Sequence, residues 1–145
     1  SIAGTCLKRI HALDNAALAA GLAAEPFAVA KQINLYAIMR QNRIVWDFMV
    51  DVVGEKYRTQ DLTYEKKDLN IFFMTLSEQV ETVASWSDAT VRKIKQVLTK
   101  FLVECEYLDS PRSDHLNPVY LCPELELGIR ANRDTEAFAA FNFFE

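Results

Sequence analysis

The residue types that could do bond-making chemistry are few and far apart. The chain has two histidines, His11 and His115, and three cysteines, Cys6, Cys105 and Cys122. Zinc sites and disulfide frameworks show paired cysteine or histidine spacings, and none occurs here. No phosphate-cradling G-x-x-x-x-G-K-[ST], dinucleotide G-x-G-x-x-G, nucleophile-elbow G-x-S-x-G or zinc-binding H-E-x-x-H is present. An odd cysteine count without paired spacing fits reduced thiols serving as small apolar side chains. Cys105 falls on an apolar helix stripe, a position for packing rather than attack. Glu78 and Glu81, at i and i+3, read as carboxylates facing water. The expectation is a protein without catalysis, metal, cofactor or small-molecule substrate.

Binding chemistry is better represented. Between Thr90 and Val103 the chain carries Arg92, Lys93, Lys95 and Lys100 and no acid. Val91, Ile94, Val97, Leu98, Phe101, Leu102 and Cys105 recur at helical spacing, so these cations share a polar face with Gln96, opposite an apolar stripe. A helix that docks one face on a core and offers donors on the other can reach phosphates and base edges in a major groove. Ser87 is a good N-cap for it, and Asp88 in the first turn suits the helix dipole. Four cations on one face are also common on solvated surfaces, where they serve solubility. The net charge of −4 announces no nucleic acid by itself. Lys66 and Lys67 are flanked by Glu65 and Asp68, and Lys8 with Arg9 makes only a small basic spot.

The elements that must position this face are mainly helical. Half of the 145 residues are hydrophobic and a quarter charged, a globular balance, with only 4 Gly and 4 Pro for turns. A first helix is expected over residues 5–20, ended by Gly21, and a second from Pro26 to about Arg40. Ile44, Val45, Phe48, Met49 and Val52 mark a third that fades near Gly54. Trp46 and Phe48 cannot both face one direction on it. A fourth, capped by Thr63, runs to about Ala84 with Leu69, Phe72, Phe73, Leu76, Val80 and Val83 inward. The basic helix is the fifth. After it Tyr107-Leu108, a polar turn and Val119-Tyr120-Leu121 read as a small β-hairpin. Arg112 at its tip is placed to reach a phosphate. Pro123 opens a short helix over residues 124–131, and Asp134 caps a last segment whose Phe138, Phe141, Phe143 and Phe144 fold back on the core. The expected fold is thus mainly α. A helical N-terminal layer over residues 1–58 precedes a winged-helix-like helix-helix-hairpin module over 59–145. No apolar run approaches the roughly 18 uncharged residues of a membrane span. No signal peptide is visible, so the expected location is the cytoplasm.

Three stretches carry a resemblance to a known family. They are residues 32–48, with Leu35-Tyr36-Ala37 and Trp46-Asp47-Phe48; residues 62–73, with Asp68 and Phe72; and Trp86-Ser87-Asp88-Ala89-Thr90-Val91-Arg92-Lys93, continuing to Leu98, Leu102 and Leu108. In these the chain resembles the BrxA family of bacterial BREX (bacteriophage exclusion) defence systems, over most of its length. It departs at Glu106-Tyr107-Leu108, where the family pattern has a glycine. The resemblance implies a non-enzymatic cytoplasmic subunit of a phage-defence system, all-helical with helix-turn-helix character, associating with double-stranded DNA and other BREX subunits. It also implies a further helical segment ahead of Ser1. By residue it reaches Ser87, Thr90, Arg92 and Lys93; Lys95, Lys100 and Arg112 join them from the face argument alone. Two other readings stay open: a protein-interaction scaffold, and an RNA-binding factor like the NusB antitermination proteins.

Overall fold

A computed structural model describes residues 27–145. The helix expected over residues 5–20, its Gly21 stop, the Pro26 start, and Cys6, Lys8, Arg9 and His11 lie outside the described residues. The described chain forms two compact units. One comprises the chain up to Asp61 together with Pro118–Glu145; the other is Leu62–Asn117. The last third of the residues expected as one module over 59–145 therefore returns to the first unit.

In the first unit, α1 (Phe27–Gln41) buries Ile33, Leu35, Tyr36, Ala37 and Met39. Asn42 then ends one helix and starts another, its carboxamide oxygen accepting the Ile44 and Val45 amides at 3.0 and 3.4 Å. From there α2 (Arg43–Asp47), a π-helical turn (Phe48–Val53) and α3 (Gly54–Thr59) follow without a break. The wider turn is seen in the Gly54 amide donating to the Met49 carbonyl, five residues back. Trp46 and Phe48 do point apart, and both are buried, because this run is enclosed on both sides. Helix does not fade at Gly54. A Cβ there would come within 2.8 Å of the Ala139 Cβ, so glycine serves close approach and not termination.

Beyond, α7 (Pro123–Ala131) opens on the expected proline, and a 3-10 helix (Thr135–Phe141) follows. The Phe-rich end packs inward only in part: Phe138 and Phe141 are buried, Phe143 is half-buried with the Arg130 guanidinium over its ring and that of Phe138 at 5.9 and 5.0 Å, and Phe144 is 41% exposed. Asp134 does not cap with its side chain. Its carboxylate instead accepts the Tyr36 hydroxyl at 2.6 Å and pairs with Arg40 at 3.2 Å. Burial, and then the bond to Asp134, push the Tyr36 hydroxyl far above the ordinary tyrosine range, so it stays a neutral donor.

In the second unit, α4 (Lys66–Gln79) is started by Asp68, which accepts the Glu65 amide at 2.7 Å, and not by Thr63. It breaks at Val80, and α5 (Glu81–Ala84) adds one turn before α6 (Asp88–Glu104). Leu69, Phe72, Phe73, Leu76 and Val83 are buried as expected, while Val80 is partly exposed.

The expected β-hairpin is not formed. Among the described residues there is no strand, only an isolated bridge between Thr63 and His115. The reason is a prior claim on the hydrogen-bonding groups. The Tyr107 and Leu108 amides both donate to the Leu102 carbonyl, at 2.8 and 3.1 Å, closing α6. On the other arm Pro118 and Pro123 have no N–H. There the Gln32 carboxamide donates to the Tyr120 carbonyl at 2.7 Å and accepts the Cys122 amide at 3.0 Å. Residues 107–117 form a loop instead, pinned by the Asn117 amide on the Tyr107 carbonyl and by its side chain on Glu106 and Asp109.

Candidate nucleic-acid interface

The basic helix starts where its sequence says it should. Ser87 is extended, and its Oγ accepts the Thr90 amide at 3.2 Å and lies 3.0 Å from the Thr90 hydroxyl. That bond satisfies one of the otherwise orphaned first-turn donors. Leu98 and Leu102 form the buried centre of the stripe; Val91, Ile94, Phe101 and Cys105 are half-buried at its margins, and Val97 is 40% exposed. The other side is open. At about 100° per residue, Arg92, Lys93, Gln96 and Lys100 fall within one arc of about 100°, and all four are exposed.

Seven residues were expected to serve this interface, and the structure divides them. Arg92 and Lys93 project from α6 without a carboxylate partner among the described residues. Lys100 shares the arc but approaches Glu104 at 3.8 Å, an exposed i, i+4 pair of small energetic weight. Lys95 is turned away. Its ammonium donates to Asn70 Oδ1 at 2.7 Å and lies 5.8 Å from the centre of the Phe73 ring, so it ties α6 to α4. Asn70 lies 25 residues upstream, and no local pattern announces that contact. Ser87 and Thr90 are exposed, their hydroxyls already engaged with each other. Arg112 is exposed in a turn closed by the Ser113 amide on the Ser110 carbonyl, with its own amide donating to Ser110 Oγ at 3.3 Å.

The seven cations of residues 62–117 are outnumbered by nine acids. The positive arc is therefore a local feature of α6. No group of three or more His, Cys, Asp or Glu side chains could hold a metal among the described residues. Cys105 and Cys122 are half-buried, and burial pushes the Cys122 thiol up, away from its nucleophilic thiolate form. His115 sits in the backbone bridge to Thr63. Among the described residues no helix is long and apolar enough to cross a membrane.

Comparison with known proteins agrees on one family. The BrxA family model matches residues 1–133, which include all of α6. The BREX protein BrxA of Bacillus cereus (strain H3081.97) is 35% identical over 113 residues, 78% of this chain and 56% of the relative. The BREX protein BrxA of Escherichia coli O9:H4 (strain HS) is 31% identical over 127 residues, 86% of this chain and 58% of the relative. The chain thus spans somewhat over half the length of the curated relatives it matches. On the extent of these matches, the chain belongs to the BrxA family.

Proposed function

We propose that this chain is a non-catalytic, cytoplasmic accessory subunit of a bacteriophage-exclusion system, working with other BREX subunits and holding duplex DNA against the exposed face of α6. The names of its relatives support the defence role. The observation that carries the DNA reading is the arc of Arg92, Lys93, Gln96 and Lys100 on a helix whose opposite face is docked. In this reading the three cations neutralise phosphates, and Gln96, set among them, presents an amide that can pair with an adenine edge. Arg112 supplies a flanking phosphate contact. The order of the module supports the same placement. An extended segment ending at Tyr64 is followed by helices, and a loop returns to pair with it, the Tyr64 amide on Asp114 at 2.8 Å and the Leu116 amide on Leu62 at 2.7 Å. That order sets α6 in a helix-turn-helix-like module with a returning loop in place of a β wing.

The test is titration of a labelled duplex, read by anisotropy. The triple variant Arg92→Glu, Lys93→Glu, Lys100→Glu is expected to lose binding, and Lys95→Ala, which removes only the clasp to α4, to retain it. Unchanged binding by the triple variant would rule out this face. Preferential displacement of the duplex by single-stranded RNA would favour the RNA reading.

A further inference from the structure

The face of α4 opposite its core has a pattern of its own. Lys67, Ile71, Met74 and Glu78 are spaced 4-3-4, the seam spacing of paired helices. At about 100° per residue they fall within about 60° of one another, diametrically opposite Leu69, Phe72, Phe73 and Leu76. Ile71 and Met74 are 55% and 59% exposed, an unusual fate for two large apolar neighbours on one helix. The stripe is also self-complementary. Ile71 and Met74 are centred on the same point of the helix as Lys67 and Glu78. A second copy of α4 laid antiparallel about that point sets Ile71 against Met74 and Lys67 against Glu78, twice over, by two-fold symmetry.

We infer that this face is a self-association seam, and that its occupant is α4 of a second copy of the chain. Charge selects the occupant: a parallel copy would set lysine on lysine and glutamate on glutamate. Lys67 already lies 3.1 Å from its own Glu65, but that pair is largely solvated and yields to a second carboxylate at little cost. Two apolar side chains per copy fall well short of the about 800 Å² per partner of a standard interface. The dimer is therefore weak and concentration-dependent.

Sedimentation velocity of the full 145-residue chain over a dilution series, without nucleic acid, tests this. The wild type is expected to show a monomer–dimer equilibrium, and Ile71→Asp to abolish it with its helical circular dichroism unchanged. Lys67→Glu alone and Glu78→Lys alone should each weaken the dimer on the order of tenfold. Mixing these two variants should restore it, since each then faces its opposite charge, and the double variant should restore it alone. A wild type that stays monomeric throughout, or single variants that are not rescued by mixing, would overturn the inference.

Discussion

At the scale of single residues, the ends of the helices rest on unusual choices. All four described residues with positive φ are non-glycine: Gln60, Glu106, Arg133 and Asn142. Each sits one or two residues past a helical end and closes it in the same way. After α6, the Glu106 amide donates to the Val103 carbonyl and the Tyr107 amide to that of Leu102, the paired bonds of a Schellman motif. Glu106, at φ 68°, thus holds a conformation that glycine would adopt freely. Left-handed backbone costs a side-chain-bearing residue about 1–2 kcal/mol, while glycine adds about 0.4–1 kcal/mol of unfolded-state entropy. Glu106→Gly is accordingly expected to stabilise the chain by about 0.5 kcal/mol. The readout is a rise in the urea midpoint at unchanged slope; a fall would mean that the Glu106 side chain matters more than its backbone.

Among the elements, the run α2–π–α3 shows how a local rule is reversed by packing. Replacing a helical glycine by alanine on a free surface gains about 1 kcal/mol. At Gly54 the added methyl would meet the Ala139 Cβ at 2.8 Å and its backbone carbon at 3.1 Å, and backbone gives way poorly. Gly54→Ala is expected to destabilise by about 1–3 kcal/mol, seen as a lower melting temperature. A gain would show that the 3-10 helix carrying Ala139 can move aside. The same lesson holds for the absent hairpin. Short apolar runs on both arms were present, but the amides needed for a ladder close α6 on one side, and on the other Gln32 holds the Tyr120 carbonyl and the Cys122 amide.

For the whole molecule, the question is which class of partner the positive arc meets. On the proposed reading, duplex binding through Arg92, Lys93, Lys100 and Arg112 would release condensed counterions. The logarithm of affinity should then fall with the logarithm of salt at a slope of about −3 to −4. Affinity measurements at a series of salt concentrations check this. A slope near zero, with a protein partner retained at high salt, would favour the scaffold reading. The two-unit organisation bears on how such an experiment is built. Because Pro118–Glu145 belongs with the chain before Leu62, cutting at residue 58 would leave Phe138 and Phe141 without the helices that cover them.

What the sequence determined by itself was whatever depends on neighbours within a turn or two of helix. The helical class, the Ser87 start of α6, its buried Leu98 and Leu102, and the shared exposure of Arg92, Lys93 and Lys100 follow from a 3.6-residue period and a capping side chain. The family was legible for the same reason, since it rests on contiguous stretches such as that from Trp86 to Lys93. Tertiary structure alone decided the rest. Lys95 left the basic face because Asn70 and Phe73 receive it. Asp134 turned from capping to Tyr36 and Arg40, the hairpin lost its amides, and Gly54 became a contact. Each of these is a bond between groups that the chain separates and only folding brings within reach. The helix at Ser87 thus keeps the face its sequence promised, with one cation fewer than the sequence counted.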